Sequence, residues 1–274
     1  MIETMAARTT PTVRPWIRRL ARLGFGARGL VYILVGLLAA GAAAGIGGGK
    51  TTDTHGAIGT VGAQPFGAVF LIVLGVGLAA YAVWRFTQAA LDLEGKGTDA
   101  KGLAVRASYA ASGVVHAGMA FTAGSLAVGL GRGHSDPVRG WAGRLMDEPF
   151  GRWLVGAIGV AVLGAAAYQL YKAWSDRFEE HLRTQEMSAT ARRWSKRIGR
   201  AGLAARGVTF GIIGWFLVRA ALQVDPGQAR GLAGALRTLA RQDHGRWLLG
   251  VVALGLTAYG VLSLINARYR AIKA

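Results

Sequence analysis

The stretch Trp16-Ile17-Arg18-Arg19-Leu20-Ala21-Arg22-Leu23-Gly24-Phe25-Gly26-Ala27-Arg28-Gly29 returns deep in the chain as Trp194-Ser195-Lys196-Arg197-Ile198-Gly199-Arg200-Ala201-Gly202-Leu203-Ala204-Ala205-Arg206-Gly207, with seven of the fourteen positions identical. A middle copy lies between them, where Arg106, Tyr109 and Gly113 answer to Arg22, Phe25 and Gly29 at one common offset. Each copy leads into an apolar segment, and a second apolar segment follows it. Pro65-Phe66-Gly67, Pro149-Phe150-Gly151 and Asp243-His244-Gly245 open these second segments. The spacings Gly29 to Gly67, Gly113 to Gly151 and Gly207 to Gly245 are identical. Internal symmetry of this kind organises the whole chain and takes precedence over any local motif. The chain reads as three copies of helix, outer loop, helix.

The composition gives those segments their environment. In 274 residues, 32 Lys and Arg stand against 14 Asp and Glu, a net charge of +18, while hydrophobic residues reach 52% and charged ones only 17%. A nucleic-acid binder of this charge would carry it along a continuous patch beside a soluble core. Here the basic residues punctuate six apolar runs, at 25–46, 67–87, 103–130, 151–173, 201–222 and 246–266. About 20 helical residues cover the ~30 Å hydrocarbon layer. Helix is the required form, because lipid offers backbone N–H and C=O groups no partner. The 42 glycines would weaken helices in water but let membrane helices approach closely. The expected fold is an all-α integral membrane protein with six transmembrane helices, arranged as three parallel tandem helix-hairpin repeats about a pseudo-threefold axis. Absence of Cys is compatible with any redox setting.

Orientation follows from Lys and Arg on alternating sides: 22 fall on the side of the termini and 10 on the other, which places both termini in the cytoplasm. A cleaved signal is the rival reading of the first run, with Ala42-Ala43-Ala44 as its cleavage site. The close copy deep in the chain argues against it. The expected division is a disordered cytoplasmic N-terminus (1–15), repeat 1 (16–87), a cytoplasmic linker (88–99), repeat 2 (100–173), a second linker (174–193), repeat 3 (194–266) and a cytoplasmic tail (267–274). In the second linker, Trp174, Phe178 and Leu182 recur at i, i+4 and i+8, the pattern of an amphipathic surface helix. The outer loops share a short amphipathic element at Ile58/Val61, Ala142/Leu145 and Leu236/Leu239.

Arg28-Gly29 and Arg206-Gly207 in the first and last odd helices, Pro-Phe-Gly at 65–67 and 149–151, and the tandem helix pairs resemble the bacterial membrane proteins grouped as domain of unknown function 1206. The resemblance covers roughly 16–266. It implies three two-helix repeats in a bacterial cytoplasmic membrane and brings no catalytic signature. The middle copy departs from the pattern with Ser112 in place of Arg28 and Arg206, and the third lacks Pro-Phe.

Arg22, Arg106 and Arg200 stand at the cytoplasmic start of the odd helices. Such arginines anchor a helix by snorkelling to phosphate head groups, and a ring of three would also suit an anionic lipid or solute. Arg28 and Arg206 lie six positions further on, about 9 Å deeper. A charge there is costly without a partner, which makes these two the stronger candidates for an anionic contact. Tyr32, His116 and Phe210 fall near the bilayer midplane and are candidates to face the axis between repeats. For His116, a neutral imidazole bonded to a neighbouring group is expected, since no membrane Asp or Glu accompanies it for proton relay. Gly29, Gly67, Gly113, Gly151, Gly207 and Gly245 are expected to serve helix packing.

Other signals fail on spacing. His55, His134 and His244 lie near Asp53, Asp136 and Asp243 in the outer loops, but they are not repeat-equivalent and show no HExxH pattern, so no metal is expected. Gly45 to Thr52 invites comparison with a phosphate-binding loop, yet Ala44 stands where that loop needs Gly and no strand precedes it. No nucleophile–base pair or carboxylate dyad is present, so neither catalysis nor a cofactor is expected. The expected role is a non-enzymatic structural or partner- and lipid-interacting membrane component. Its partner is the bilayer, with anionic lipid at the cytoplasmic face and no nucleic acid. The alternative is a channel or carrier for a small solute or ion along the pseudo-threefold axis.

Overall fold

The computed structural model describes residues 15–46, 57–60, 65–130 and 137–271. Residues 1–14 of the segment expected to be disordered, Lys50, Val61, His55, His134, Asp53 and Asp136 lie outside the described residues, and Pro15 already belongs to the first helix. The regular elements within them are helices: α1 (Pro15–Ala43), α2 (Gly67–Leu91), α3 (Ala100–Ala127), α4 (Pro137–Met146), α5 (Gly151–Ser175), α6 (Ala189–Gln223), α7 (Leu232–Ala240) and α8 (Gly245–Tyr269). Helices α1, α3 and α6 open the three repeats; α2, α5 and α8 close them. The short helices α4 and α7, and a helical turn at 57–60, occupy the outer loops. Ile58, Ala142 and Leu236 on these three elements are fully buried, so each outer loop seats an apolar side chain on the helices beneath it.

The entry into each closing helix is the same. Phe66, Phe150 and His244 adopt left-handed backbone, at φ 63°, 63° and 60°. The glycine that follows has a packing reason, since a Cβ on Gly151 or Gly245 would collide with the carbonyl of Leu145 or Ala240 in the preceding short helix.

Five of the helices, α1, α2, α5, α6 and α8, are long and apolar enough to cross a membrane. Helix α3 carries Lys101, Arg106 and His116 among many Ala, Gly and Ser residues and is less apolar. On α5, Trp153 and Trp174 are both exposed, near opposite ends of the helix; Trp194 and Trp215 on α6 are exposed too and repeat the separation. At 1.5 Å per residue this is about 32 Å.

Packing is out of step with connectivity. Each closing helix docks on the opening helix of the next repeat: α2 on α3, α5 on α6, and α8 on α1. The glycines make this interface. A Cβ on Gly29 would meet Leu264, on Gly113 Phe86 and on Gly207 Leu170, at 2.8 Å in each case. Phe86, Leu170 and Leu264 are themselves repeat-equivalent, so one interface is used three times. Small residues allow the backbones to approach and dispersion contacts to accumulate, the dominant attraction between helices in lipid.

The contact within a repeat occurs only twice, α1 with α2 and α6 with α8. Gly24 and Gly202 lie against the backbones of Tyr81 and Tyr259, and Gly77 and Gly255 lie against Ala27 and Ala205. In the middle repeat the corresponding residues are Ser108 facing Ala165 and Ala161 facing Ala111. All four are exposed, and α3 and α5 do not pack on each other. Side chains replace the glycines that permit close approach. The six long helices therefore run in the order α3, α2, α1, α8, α6, α5, with the middle repeat parted at its own seam. The largest apolar core lies in α1, α2 and α8, around Val31, Val35, Leu74, Leu78, Leu249 and Leu256.

The second linker is not one continuous helix. Asp176 turns the chain with φ 56°, two 3-10 turns follow at Glu179–His181 and Thr184–Glu186, and helix resumes at Ala189. Phe178 and Leu182 are buried while Trp174 is exposed, so the i, i+4, i+8 pattern does not form one face. Leu182 forms an antiparallel bridge with Arg270, and Arg183 N–H donates to the Tyr269 carbonyl at 2.8 Å. These bonds tie the linker across the end of α8.

Candidate functional site

Arg28 and Tyr32 are four positions apart on α1 and share a face; Tyr81, Arg85 and Gln88 do the same on α2. These faces meet Tyr259 of α8 and Arg206 of α6 in the centre of the protein. The Arg28 guanidinium donates from Nη1 to the Tyr81 hydroxyl. It lies over the rings of Tyr259, Tyr81 and Tyr32, at 4.8, 5.2 and 5.8 Å. Arg206 lies over the same Tyr259 ring at 4.9 Å and over Phe210 at 4.3 Å, and its Nε donates to the Tyr32 hydroxyl at 3.4 Å. Arg85 donates to the Tyr81 hydroxyl at 2.9 Å and to Gln88 Oε1 at 3.0 Å. Tyr32 meets Tyr259 edge to face at 4.8 Å, and His116 of α3 lies 4.4 Å from the Tyr81 ring.

Arg28 is only 5% exposed, and its Nε has no hydrogen-bond partner. Ring faces attract a guanidinium by about 0.5–2 kcal/mol each when desolvated. They do not replace a counter-ion, and removing a charge from water costs several kcal/mol. Three guanidiniums thus converge on tyrosines, with no carboxylate bonded to any of them among the described residues. His116 Nδ1 lies 2.7 Å from the Ser112 carbonyl, an acceptor, so Nδ1 carries the proton and the buried Nε2 is an unpaired acceptor.

The acid nearest this cluster is committed elsewhere. Glu94, just beyond α2, accepts from Arg270 at 2.9 Å, from Gln88 at 2.8 Å and from Tyr109 at 2.7 Å. Burial would raise its pKa, but the Arg270 charge, the Tyr109 hydrogen bond and the charge on His181 prevail and hold it down to about 2. His181 Nε2 lies 3.9 Å from Glu94. Burial, then the Arg270 charge, push His181 down to about 4, so at neutral pH it is uncharged and this contact is not an ion pair. Glu94 follows α2, His181 follows α5 and Arg270 follows α8. The Glu94 carboxylate therefore ties the exit of repeat 1 to that of repeat 3, with His181 of the second linker beside it.

The starting arginines divide. Arg106 donates to the carbonyls of Ala89 and Ala90 at 2.8 and 3.1 Å, capping the end of α2. Arg200 holds Asp176 bidentately at 2.6 Å just past the end of α5. Each neutralises the negative end of the preceding repeat's closing helix; Arg22 is exposed. The two deeper arginines, Arg28 and Arg206, come together over Tyr259. Tyr32 and Phe210 both meet Arg206, and His116 meets Tyr81. Gly29, Gly113 and Gly207 lie at the three equivalent seams, and Gly67, Gly151 and Gly245 are buried at the starts of their helices. Sequence reasoning missed Tyr81, Arg85, Glu94 and Tyr259. Tyr81 and Tyr259 carried a signal, standing as far apart in the chain as Arg28 and Arg206. Among the described residues no group of His, Asp and Glu is placed to hold a metal ion.

The chain is 37% identical over 257 residues to Uncharacterized protein YxxB of Bacillus subtilis (strain 168), an alignment spanning 94% of this chain and 92% of that protein. No solved structure matches it. The family described as Domain of Unknown Function (DUF1206) matches three times in tandem, at residues 23–92, 107–176 and 201–270, one match for each helix pair. By these matches, which cover most of its length, the chain belongs to the DUF1206 family.

Proposed function

We propose that this protein is a non-enzymatic, multi-pass component of the bacterial cytoplasmic membrane. Its three helix pairs cross six times about a pseudo-threefold axis, with both termini cytoplasmic, and its basic cytoplasmic rim engages anionic lipid. The observation that carries the reading is the paired exposed tryptophans on α5 and α6, spaced about 32 Å along each helix. Tryptophan concentrates at the two interfaces of a bilayer whose hydrocarbon layer is ~30 Å thick. α3 crosses as the sixth helix because its small residues pack on α2. At the inner interface a groove of about 220 Å³ is lined by Thr190, Arg193, Trp194 and Arg197. Trp16, Arg18, Arg19 and Arg22 at the start of α1, the repeat-equivalent stretch, are exposed as well. Basic side chains at this level add about 1 kcal/mol each to the attraction of an anionic leaflet.

A channel or carrier along the axis finds less support, because Tyr32, His116 and Phe210 are each engaged with an aromatic or cationic neighbour. The test is reconstitution in vesicles containing phosphatidylglycerol. Wild type is expected to pass no ions or small solutes and to retain phosphatidylglycerol on extraction. Replacing Arg18, Arg19, Arg22, Arg193 and Arg197 by Gln is expected to reduce the retained lipid. Solute flux sensitive to His116→Ala would overturn the reading in favour of a channel, and unchanged lipid retention would remove the rim contact.

A further inference from the structure

We propose that Arg28, Arg85 and Arg206, with the hydroxyls of Tyr32 and Tyr81, form a buried receptor for an oxyanion, the phosphate or carboxylate group of a lipid or of a free solute. The site lies inside the bundle and does not depend on the basic rim.

The cluster consists of donors without an acceptor. The Tyr81 hydroxyl oxygen accepts from both Arg28 and Arg85, and the Tyr32 oxygen accepts from Arg206. Each hydroxyl hydrogen is therefore left to donate, and no described residue receives it. Arg28 adds a buried Nε with no partner. Glu94 does not supply the missing charge, because its oxygens are occupied by Arg270, Gln88 and Tyr109. Guanidiniums gathered on one pair of tyrosine rings repel one another strongly in a medium of low dielectric. A compact anion reverses that repulsion and receives charge-assisted hydrogen bonds with the geometry that guanidinium and oxyanion share.

The repeats also show where such a group enters. The third Arg–Tyr pair of the series is replaced by Ser112 and Ala165, and this is the repeat whose helices part. Ser108, Ala111, Ala161 and Ala165 line the open seam between α3 and α5 and are exposed. That surface is small-sided and largely apolar, suited to an acyl chain, and Ser112, one turn along α3 from Ser108, holds His116 through its carbonyl.

The full chain, purified in detergent and freed of phosphate, is titrated with inorganic phosphate. In parallel it is placed in nanodiscs of phosphatidylcholine with or without phosphatidylglycerol, and bound species are read by native mass spectrometry. One oxyanion per chain is expected. Arg28→Gln or Arg206→Gln is expected to weaken binding at least tenfold, and Arg152→Gln, exposed at the start of α5 and outside both the rim and the cluster, to leave it unchanged. Tyr32→Phe keeps the ring and removes the hydroxyl, so it should weaken binding several-fold without loss of folding, and it carries the test if Arg28→Gln does not fold. Retention of phosphatidylglycerol without competition by phosphate identifies a lipid head group, and competition identifies a free anion; either supports the site. Wild type that binds neither probe, or equal binding by wild type and Tyr32→Phe, overturns the proposal and leaves the guanidiniums to water. The rim substitutions are expected to leave this binding intact, so the two readings fail separately.

Discussion

Gly29 of α1 and Gly260 of α8 touch backbone to backbone: a Cβ built on either would lie 2.8 or 2.7 Å from the other's carbonyl oxygen. Neither helix can yield without moving its whole axis. Gly29→Val or Gly260→Val is expected to cost about 1–3 kcal/mol through overpacking. The measurement is thermal unfolding in detergent, with Gly118→Val as the control, since no atom lies within 4 Å of a Cβ there. Equal midpoints for the two variants would show that the α1–α8 seam is not formed.

The chain has no cysteine, so introduced pairs report helix order without background. A Cβ on Gly250 would stand 3.8 Å from that of Ala43, and one on Gly211 4.0 Å from that of Ala166. Both distances suit a disulfide. Ala43→Cys with Gly250→Cys should cross-link α1 to α8, and Ala166→Cys with Gly211→Cys should cross-link α5 to α6. A Ser108→Cys and Ala165→Cys pair, across the open seam, should remain reduced; rapid oxidation there would contradict the parted middle repeat.

Glu94→Gln removes the carboxylate that pairs with Arg270 and leaves Arg270 largely buried without its counter-ion. Hydrogen bonds to charged groups contribute about 1.5–3 kcal/mol, and a loss of this size is expected in denaturant or heat unfolding. Asp147→Asn, in an exposed turn, should be silent.

Acid should destabilise the protein in two stages. His181 has a pKa of about 4 when folded against 6.5 ordinarily. Between those values the unfolded chain binds the proton and the folded chain does not, so stability falls as pH drops through this window. Glu94, at about 2 against an ordinary 4.5, extends the loss below pH 4.5 as its carboxylate is protonated first in the unfolded chain. Unfolding midpoints from pH 8 to pH 3 are expected to decline, and His181→Asn to flatten the stretch between pH 6.5 and 4. A midpoint that rises on acidification would refute the assignment.

Arg28→Met should raise the unfolding midpoint in anion-free detergent, because it removes a buried charge that has no carboxylate partner among the described residues. An unchanged or lowered midpoint would mean that the tyrosine rings compensate the charge in full.

The repeat frame was legible because equal spacing places equivalent residues in equivalent environments; Arg28 and Arg206 stood out as deep charges, but their meeting over Tyr259 did not. Helix order was not legible either. Spacing along the chain records that Gly29, Gly113 and Gly207 serve alike, but not that each faces the preceding repeat's Leu264, Phe86 or Leu170 rather than its own hairpin partner. The open seam left only a faint mark, Ser108 and Ala161 where the other repeats have glycine. Glu94 left none: it lies in a loop without a repeat-equivalent acid, and its partners come from three distant segments. The second linker misled because Trp174, Phe178 and Leu182 have helical spacing, while Asp176 in the left-handed conformation breaks the helix between them.

The docking of α8 on α1 sets the order of biogenesis. Of the described helices α1 is made first and α8, on which it packs most extensively, is made last, so the α8 face of α1 stays unmet while the helices between them are made. α2 and α3, and later α5 and α6, are near neighbours in the chain, whereas the α8–α1 pairing closes over the longest stretch of sequence of the five contacts between long helices. A chain arrested or proteolysed before Gly245 would strand both α1 and α6 with glycine-lined faces unmet.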